Sequence, residues 1–157
     1  MRSAECGVRS VLVFAAFVAA HVVRADDKLS FTTETLRGHV VFLAEAFEKQ
    51  TGVRSVPEAK ERILALQTAS GELIPLLEDV RARAFRRDQR LRDMDLELTV
   101  RRYRHVPTVQ ILRVLEVTKD GRYEIDYWCD ICSIVLFENI ECECCQGPVE
   151  LRRRKVD

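Results

Sequence analysis

The chain carries few of the residue patterns by which an enzyme is recognised. It has three histidines, one tryptophan and six glycines in 157 residues, and its 25 basic side chains are matched by 25 acidic ones. A zero formal charge gives no general attraction to the phosphates of nucleic acid, so a nucleic-acid partner is not expected. There is no Walker-type phosphate loop, no Gly-x-Ser-x-Gly elbow and no His-Glu-x-x-His pair. Glu78, Asp79 and Asp126 supply carboxylates, but no spacing pairs them as acid and base. No internal repeat or low-complexity tract is present. These absences favour a non-catalytic chain.

Residues 1–25 read as a secretory signal peptide. Arg2 and Arg9 make a positive start, and the apolar stretch 11–20 is too short to span a bilayer, which needs about 20 residues. Val23 and Ala25 suit the −3 and −1 positions of a cleavage site before Asp26. Cys6 would leave with this segment. An uncleaved anchor is the competing reading. On the signal-peptide reading the protein is exported, periplasmic or secreted, and its mature part, residues 26–157, carries a net charge of about −2, as Arg2, Arg9, Arg24 and Glu5 are removed. That part has no further segment apolar enough to span a membrane, and its length suits one compact domain.

Residues 26–37 are polar and predict an irregular lead-in. Val40 to Glu45 alternate as a strand would, while residues 44–50 fit one or two helical turns equally well. Ser55, Pro57 and Glu58 carry a helix-start signal, but two apolar runs flanking Ser70-Gly71 favour a hairpin, with Pro75 at a strand edge or end. Residues 80–93 lack glycine and proline and predict a short, mostly exposed helix. Met94, Leu96, Leu98 and Val100 alternate with Asp95, Glu97, Thr99 and Arg101 as a half-buried strand. A second strand is expected over 109–117, a turn at Asp120-Gly121, and a third strand over 123–128 that runs into Cys129.

Five of the six cysteines fall in seventeen residues: Cys129, Cys132, Cys142, Cys144 and Cys145. Two Cys-x-x-Cys pairs with an apolar segment between them have the spacing of a tetrathiolate metal site. Cys129, Cys132, Cys142 and Cys145 are the candidate ligands, with Cys144 spare or an alternate ligand. Residues 133–141 are long enough for a hairpin, with Glu138-Asn139 at its turn, that would bring the pairs together. A thioredoxin-like role lacks a βαβ pattern, and haem attachment lacks a histidine after either pair. Export raises disulfides as a competitor to metal, since oxidising compartments favour them. An odd number of cysteines leaves one over in either case.

The second pair, Cys142 to Gly147, resembles the Cys-x-x-Cys-x-Gly knuckle of zinc ribbons and rubredoxin-like domains; the first pair has no such glycine. That resemblance implies a structural Zn2+ on Cys129, Cys132, Cys142 and Cys145. The dense thiols of Cys142, Cys144 and Cys145 would also suit Cu+ or a redox role. The order strand, hairpin, helix, three-stranded meander resembles an OB-type small barrel over residues 36–128. The expected fold is therefore mainly β (α+β), a small OB-like five-stranded barrel or sheet with one or two short helices and a C-terminal Cys-knuckle hairpin. Its divisions are a signal peptide (1–25), an OB-like β-rich domain (26–128), a Cys-rich knuckle (129–150) and a basic tail (151–157). The whole chain resembles an exported bacterial protein type, a likeness that carries no activity with it.

These observations rank three functions. The first is an exported, non-catalytic binding or interaction protein, with a protein or small-molecule partner and a structural zinc site. The second is a periplasmic thiophilic-metal-handling or thiol-redox protein, disulfide-stapled if no metal binds. The third is a nucleic-acid-binding OB-plus-ribbon protein, which would have to stay inside the cell. The arginine-rich segment 81–104 offers that third reading an anionic-ligand face, against the plainer reading of a solvated helix balanced by Asp79, Asp88, Asp93 and Asp95. His39 and His105 are the only histidines outside the signal segment, and each reads more simply as structural than as a ligand or base. Trp128 is expected to pack the knuckle against the barrel.

Overall fold

A computed structural model describes residues 30–156. The signal-peptide reading of residues 1–25, and Cys6, lie outside the described residues. The fold is mainly β: an open antiparallel sheet of eight strands with three short helices. In chain order the elements are β1 (Phe31–Phe42), α1 (Leu43–Thr51), β2 (Leu64–Gln67), β3 (Leu73–Pro75), α2 (Val80–Arg87), α3 (Gln89–Arg92), β4 (Leu96–Tyr103), β5 (Val109–Thr118), β6 (Gly121–Cys129), β7 (Ile134–Leu136) and β8 (Glu150–Val156).

β1 is the longest strand because it serves two partners. Its first part, residues 31–38, pairs with β4, and its last part, residues 39–42, pairs with β2. The change of partner falls at Gly38, where φ is 157° and a Cβ would sit 2.0 Å from the Gln67 carbonyl oxygen. Only hydrogen fits there. The strand thus begins at Phe31, not after an irregular lead-in to residue 37. Residues 31–37 are polar but still form a strand, since Thr32, Glu34 and Leu36 pair with Arg102, Val100 and Leu98 of β4.

β2 and β3 form the expected hairpin. Thr68 and Glu72 close it by a backbone bond of 3.0 Å, and Gly71 takes φ 86° at the turn. β3 ends at Pro75, which has no N–H to continue a ladder. The chain then meets β5: Leu76 bridges Val109 in parallel, and the Leu77 N–H donates to the Val109 carbonyl at 2.8 Å. The chain order β1-β2-β3 on one side and β1-β4-β5 on the other is therefore joined at a single parallel contact.

The helical segment is broken in two and is not mostly exposed. Asp79 caps α2, accepting from the Arg81 and Ala82 N–H groups. Asp88 ends α2 and caps α3 through the Arg90 N–H at 3.1 Å. Ala82, Ala84, Phe85 and Leu91 are buried and roof the core formed by Val40, Leu64, Leu66, Leu96, Leu98, Val100, Ile111 and Tyr127. The predicted alternation in β4 holds for Leu96, Leu98 and Val100.

β6 has strands on both edges. β8 runs along one edge from Arg122 to Trp128. The other edge is shared: β5 covers Gly121 to Glu124 and β7 covers Tyr127 to Cys129. The C-terminal residues, read from sequence as a frayed basic tail, are thus a paired strand. Two of its arginines are spent on β6, where Arg152 and Arg154 both bond the buried Asp126, and Arg153 pairs with Glu116 of β5.

Two predictions follow from this packing. Gly38→Ala forces a methyl into backbone and should cost more than about 3 kcal/mol or prevent folding, whereas Gly52→Ala, with open space around it and φ 76°, should cost only about 1 kcal/mol. Urea unfolding of the two variants measures the contrast. The second concerns acid. The Arg90 guanidinium and then the Tyr127 hydroxyl hold Asp88 below the usual carboxylate range, and Arg37 with Arg122 does the same for Glu97. Carboxylates lowered in the folded state stabilise it above their unfolded pKa and lose that contribution as pH falls through the folded one. Stability should therefore fall as pH drops from about 5 towards 2, and Asp88→Asn should make that fall shallower while lowering stability at pH 7.

Candidate metal centre

The centre begins as the end of a core strand. Ile125, Tyr127 and Cys129 share the inward face of β6, and Cys129 is fully buried. The chain reverses at once. The Ser133 N–H donates to the Cys129 carbonyl at 2.8 Å, Ser133 takes φ 54°, and Ile134 pairs back against Cys129. The first Cys-x-x-Cys is therefore itself the turn of the β6–β7 hairpin. The sequence reading placed that hairpin later, with Glu138-Asn139 at its turn, and this is corrected. Glu138 is instead buried, and Arg83 and Arg87 of α2 bind it, the Arg83 Nε–H donating at 2.7 Å and Arg87 Nε lying at 3.1 Å.

The second knuckle repeats the shape of the first. The Gln146 N–H donates to the Cys142 carbonyl at 2.7 Å, and Gln146 takes φ 58°. The chain is closed further by the Cys142 N–H donating to the Gly147 carbonyl at 2.9 Å. The Gly147 N–H points at the Cys145 sulfur, 3.4 Å away, and a Cβ on Gly147 would come within 3.3 Å of that sulfur. The glycine of the knuckle pattern thus keeps a sulfur accessible to a backbone donor. The first knuckle manages without one because Ile134, in the equivalent place, goes straight into β7.

The two turns bring four sulfurs together. Cys129, Cys132, Cys142 and Cys145 have Sγ atoms all within 4.8 Å of one another, and Cys129 and Cys145 are 3.5 Å apart. A tetrahedral ion with bonds of about 2.3 Å to sulfur sets its ligands about 3.8 Å apart, so the cluster has the scale of a tetrathiolate site. The five described cysteines are free, and no disulfide joins them. Two of the four, Cys129 and Cys142, are buried, and the other two are half-buried.

Backbone donors support this set. The amides of Cys145 and then Cys144 draw the Cys142 thiol down to about 7. The Cys132 amide acts likewise on Cys129, but burial and the thiols of Cys145 and Cys142 push that group up overall. Cys132 is pushed up too, first by the thiol of Cys144, then by that of Cys145. Four crowded sulfurs resist joint ionisation, and a cation at their centre is the charge that allows all four to be thiolates. Four cysteines would close the shell of such an ion and leave no position for water.

Cys144 stands apart from the four. It is exposed, and it is the first cause of the upward shift of the Cys132 thiol. The group of four contains no histidine. His39 lies between the Met94 carbonyl and Asp95, at 3.1 Å from each, and His105 sits with φ 64° between β4 and β5. Trp128 is half-buried on the β6 face opposite Tyr127 and Cys129, with the Arg152 guanidinium 4.1 Å from its ring.

The arginine-rich segment is largely occupied. Arg83 and Arg87 hold Glu138, Arg86 holds Glu78, Arg90 holds Asp88, and Arg102 holds Glu34. Arg92 and Arg101 lie over the rings of Phe42 and Phe31. The sequence reading missed Glu138 and the Asp126 pair, both of which anchor the cysteine module. The available signal was a lone acid within an apolar run, with arginines elsewhere to match it.

Compared with known proteins, the chain matches no family model, no curated protein and no solved structure.

Proposed function

We propose that this is an exported, non-catalytic binding or interaction protein whose four clustered cysteines hold a structural zinc ion. The observation that carries the proposal is the convergence of Cys129, Cys132, Cys142 and Cys145 from two turns of the same shape. Sulfur donors alone, in a closed tetrahedral set, suit zinc over hard cations and suit a staple over a catalyst. The body is read as an OB-type barrel. The support is the helix placed after β3 and the parallel bridge from Leu76 to Val109, which joins the two ends of the β3-β2-β1-β4-β5 run. Export rests on the character of residues 1–25.

A second reading, thiophilic-metal handling with Cu+ or thiol redox chemistry, is favoured by one observation. Cys144 offers a fifth, exposed thiol beside the ligand candidate Cys145, and it pushes the Cys132 thiol up. A spare sulfur at the edge of a site is a route for ligand exchange. The nucleic-acid reading is disfavoured by the ion pairs that occupy the arginines of segment 81–104.

Elemental analysis with free-thiol counting, on protein taken from its native compartment, separates these. The structural-zinc reading expects about one zinc per chain, retained in Cys144→Ser and lost in Cys142→Ser or Cys145→Ser. Chelation should lower Tm by on the order of 10 °C or more, because binding energy of the ion is folding energy. Metal-free protein with four oxidised cysteines would replace zinc with disulfides. Copper bound by the wild type but not by Cys144→Ser would favour the second reading.

A further inference from the structure

The sheet has a split that the metal centre does not explain. The β5–β6 ladder stops at Leu115 and Glu124. Continuing its register would set Val114 against Ile125 and Arg113 against Asp126, and neither pair forms. Two features open the gap. β5 carries one extra residue against β4, Leu112, because Thr99 pairs Arg113 while Val100 pairs Ile111, and such a bulge bends the strand. From Tyr127 onward the same edge of β6 belongs to β7.

The gap is a cavity of about 300 Å³, at the lower end of the size of small-molecule sites. Its apolar lining includes Phe85 and Leu91 beneath the helices, Ile125 of β6, and Val135 and Phe137 on the outer side. Its charged rim is mostly self-neutralised. Arg113 donates to Glu124 at 3.0 Å, and Arg154 donates to Asp126 at 2.8 Å. Arg81 is the exception. Its guanidinium stacks on the Phe137 ring at 3.8 Å, and among the described residues it has no carboxylate partner. The neighbouring arginines of α2, Arg83 and Arg87, are held by Glu138.

We propose that this cavity binds a small amphiphilic monocarboxylate, with its apolar part against Phe85, Leu91 and Ile125 and its carboxylate on Arg81. Charge complementarity selects the head group. One guanidinium without a counterion favours one negative charge, while Glu124 and Asp126 on the same rim repel a dianion such as phosphate. The cavity volume limits the tail to a short chain or a single ring. The site uses none of the cysteines as contacts, so its occupancy is read separately from metal content.

The test is titration of the full chain with sodium octanoate and, in parallel, with 1-octanol, followed by chemical shifts and by thermal shift. Octanoate should bind saturably and at least about tenfold tighter than the alcohol, a difference of about 1.4 kcal/mol. Arg81→Gln should abolish that preference and Arg81→Lys should keep part of it, both with unchanged metal content and circular dichroism. Val135→Trp, which fills the outer wall, should weaken both probes. Equal binding of acid and alcohol by the wild type overturns the proposal. So does octanoate binding that Arg81→Gln leaves intact. Tighter binding of inorganic phosphate than of octanoate would make this an anion site of another class, and a response only to extended apolar peptides would make it a strand-pairing seam; either result also overturns the monocarboxylate.

Discussion

The return of the chain to β6 is the constraint on which the C-terminal third depends. Cys129 ends β6, and β8 must come back at Glu150 opposite Trp128. Between them only β7 is regular structure, and residues 137–149 contain no helix or strand. Closing such a segment onto one register has an entropic cost that grows slowly with length. The four sulfurs meet that cost at one point, since both knuckles end at the same place and the second delivers the chain to β8. β8 then covers an edge of β6 that would otherwise expose its backbone, and brings Arg152 and Arg154 to the buried Asp126. The cysteine module is thus not an appendage to the sheet. Its second knuckle leads directly into the last strand of the sheet.

A second level of organisation is electrostatic. Asp88, Glu97, Asp126 and Glu138 are all buried, and each is bonded by at least one arginine. Three of the four are held from another element: Glu97 by Arg37 of β1 and Arg122 of β6, Asp126 by β8, Glu138 by α2. Exposed ion pairs contribute little. Here the acids are the buried partners, so removing every arginine that holds one would strand a desolvated charge, a large loss even where the intact pair adds little; Glu97, Asp126 and Glu138 each keep a second arginine if one is removed. This accounts for a chain with many arginines and no net charge. The arginines are fasteners between elements, and few are left to form an anionic-ligand face.

The same division explains what the sequence made legible. Strands that bury one face announced themselves: β4, β5 and β6 lie where the sequence placed them, and the turns at Gly71 and Gly121 fall where expected. The first half of β1 and the whole of β8 did not, because their partners are satisfied by charge. Glu34 bonds Arg102, and Arg153 lies against Glu116, so these strands have little apolar periodicity to display. The helix was read as exposed because Ala82, Ala84 and Phe85 are sparse among arginines, yet these three are its buried face. Cysteine spacing foretold which sulfurs meet. It did not foretell that the first pair is the hairpin turn, since Ser133 adopts a left-handed conformation that its residue type does not advertise.

β7 links the two sites. It has three residues, fixed at one end by the Cys129–Cys132 turn and just beyond the other by Glu138 on α2. Val135 of this strand and Phe137 just after it line the cavity between β5 and β7. A strand so short has little stability of its own and takes its position from its ends. The wall of the cavity is therefore only as firm as the first knuckle. If the four sulfurs hold an ion as proposed, a ligand that requires the wall in place binds better with the ion bound, and by linkage it strengthens the hold on that ion by the same factor. The split in the sheet and the cysteine cluster, distinct in their chemistry, thus report on the same three residues.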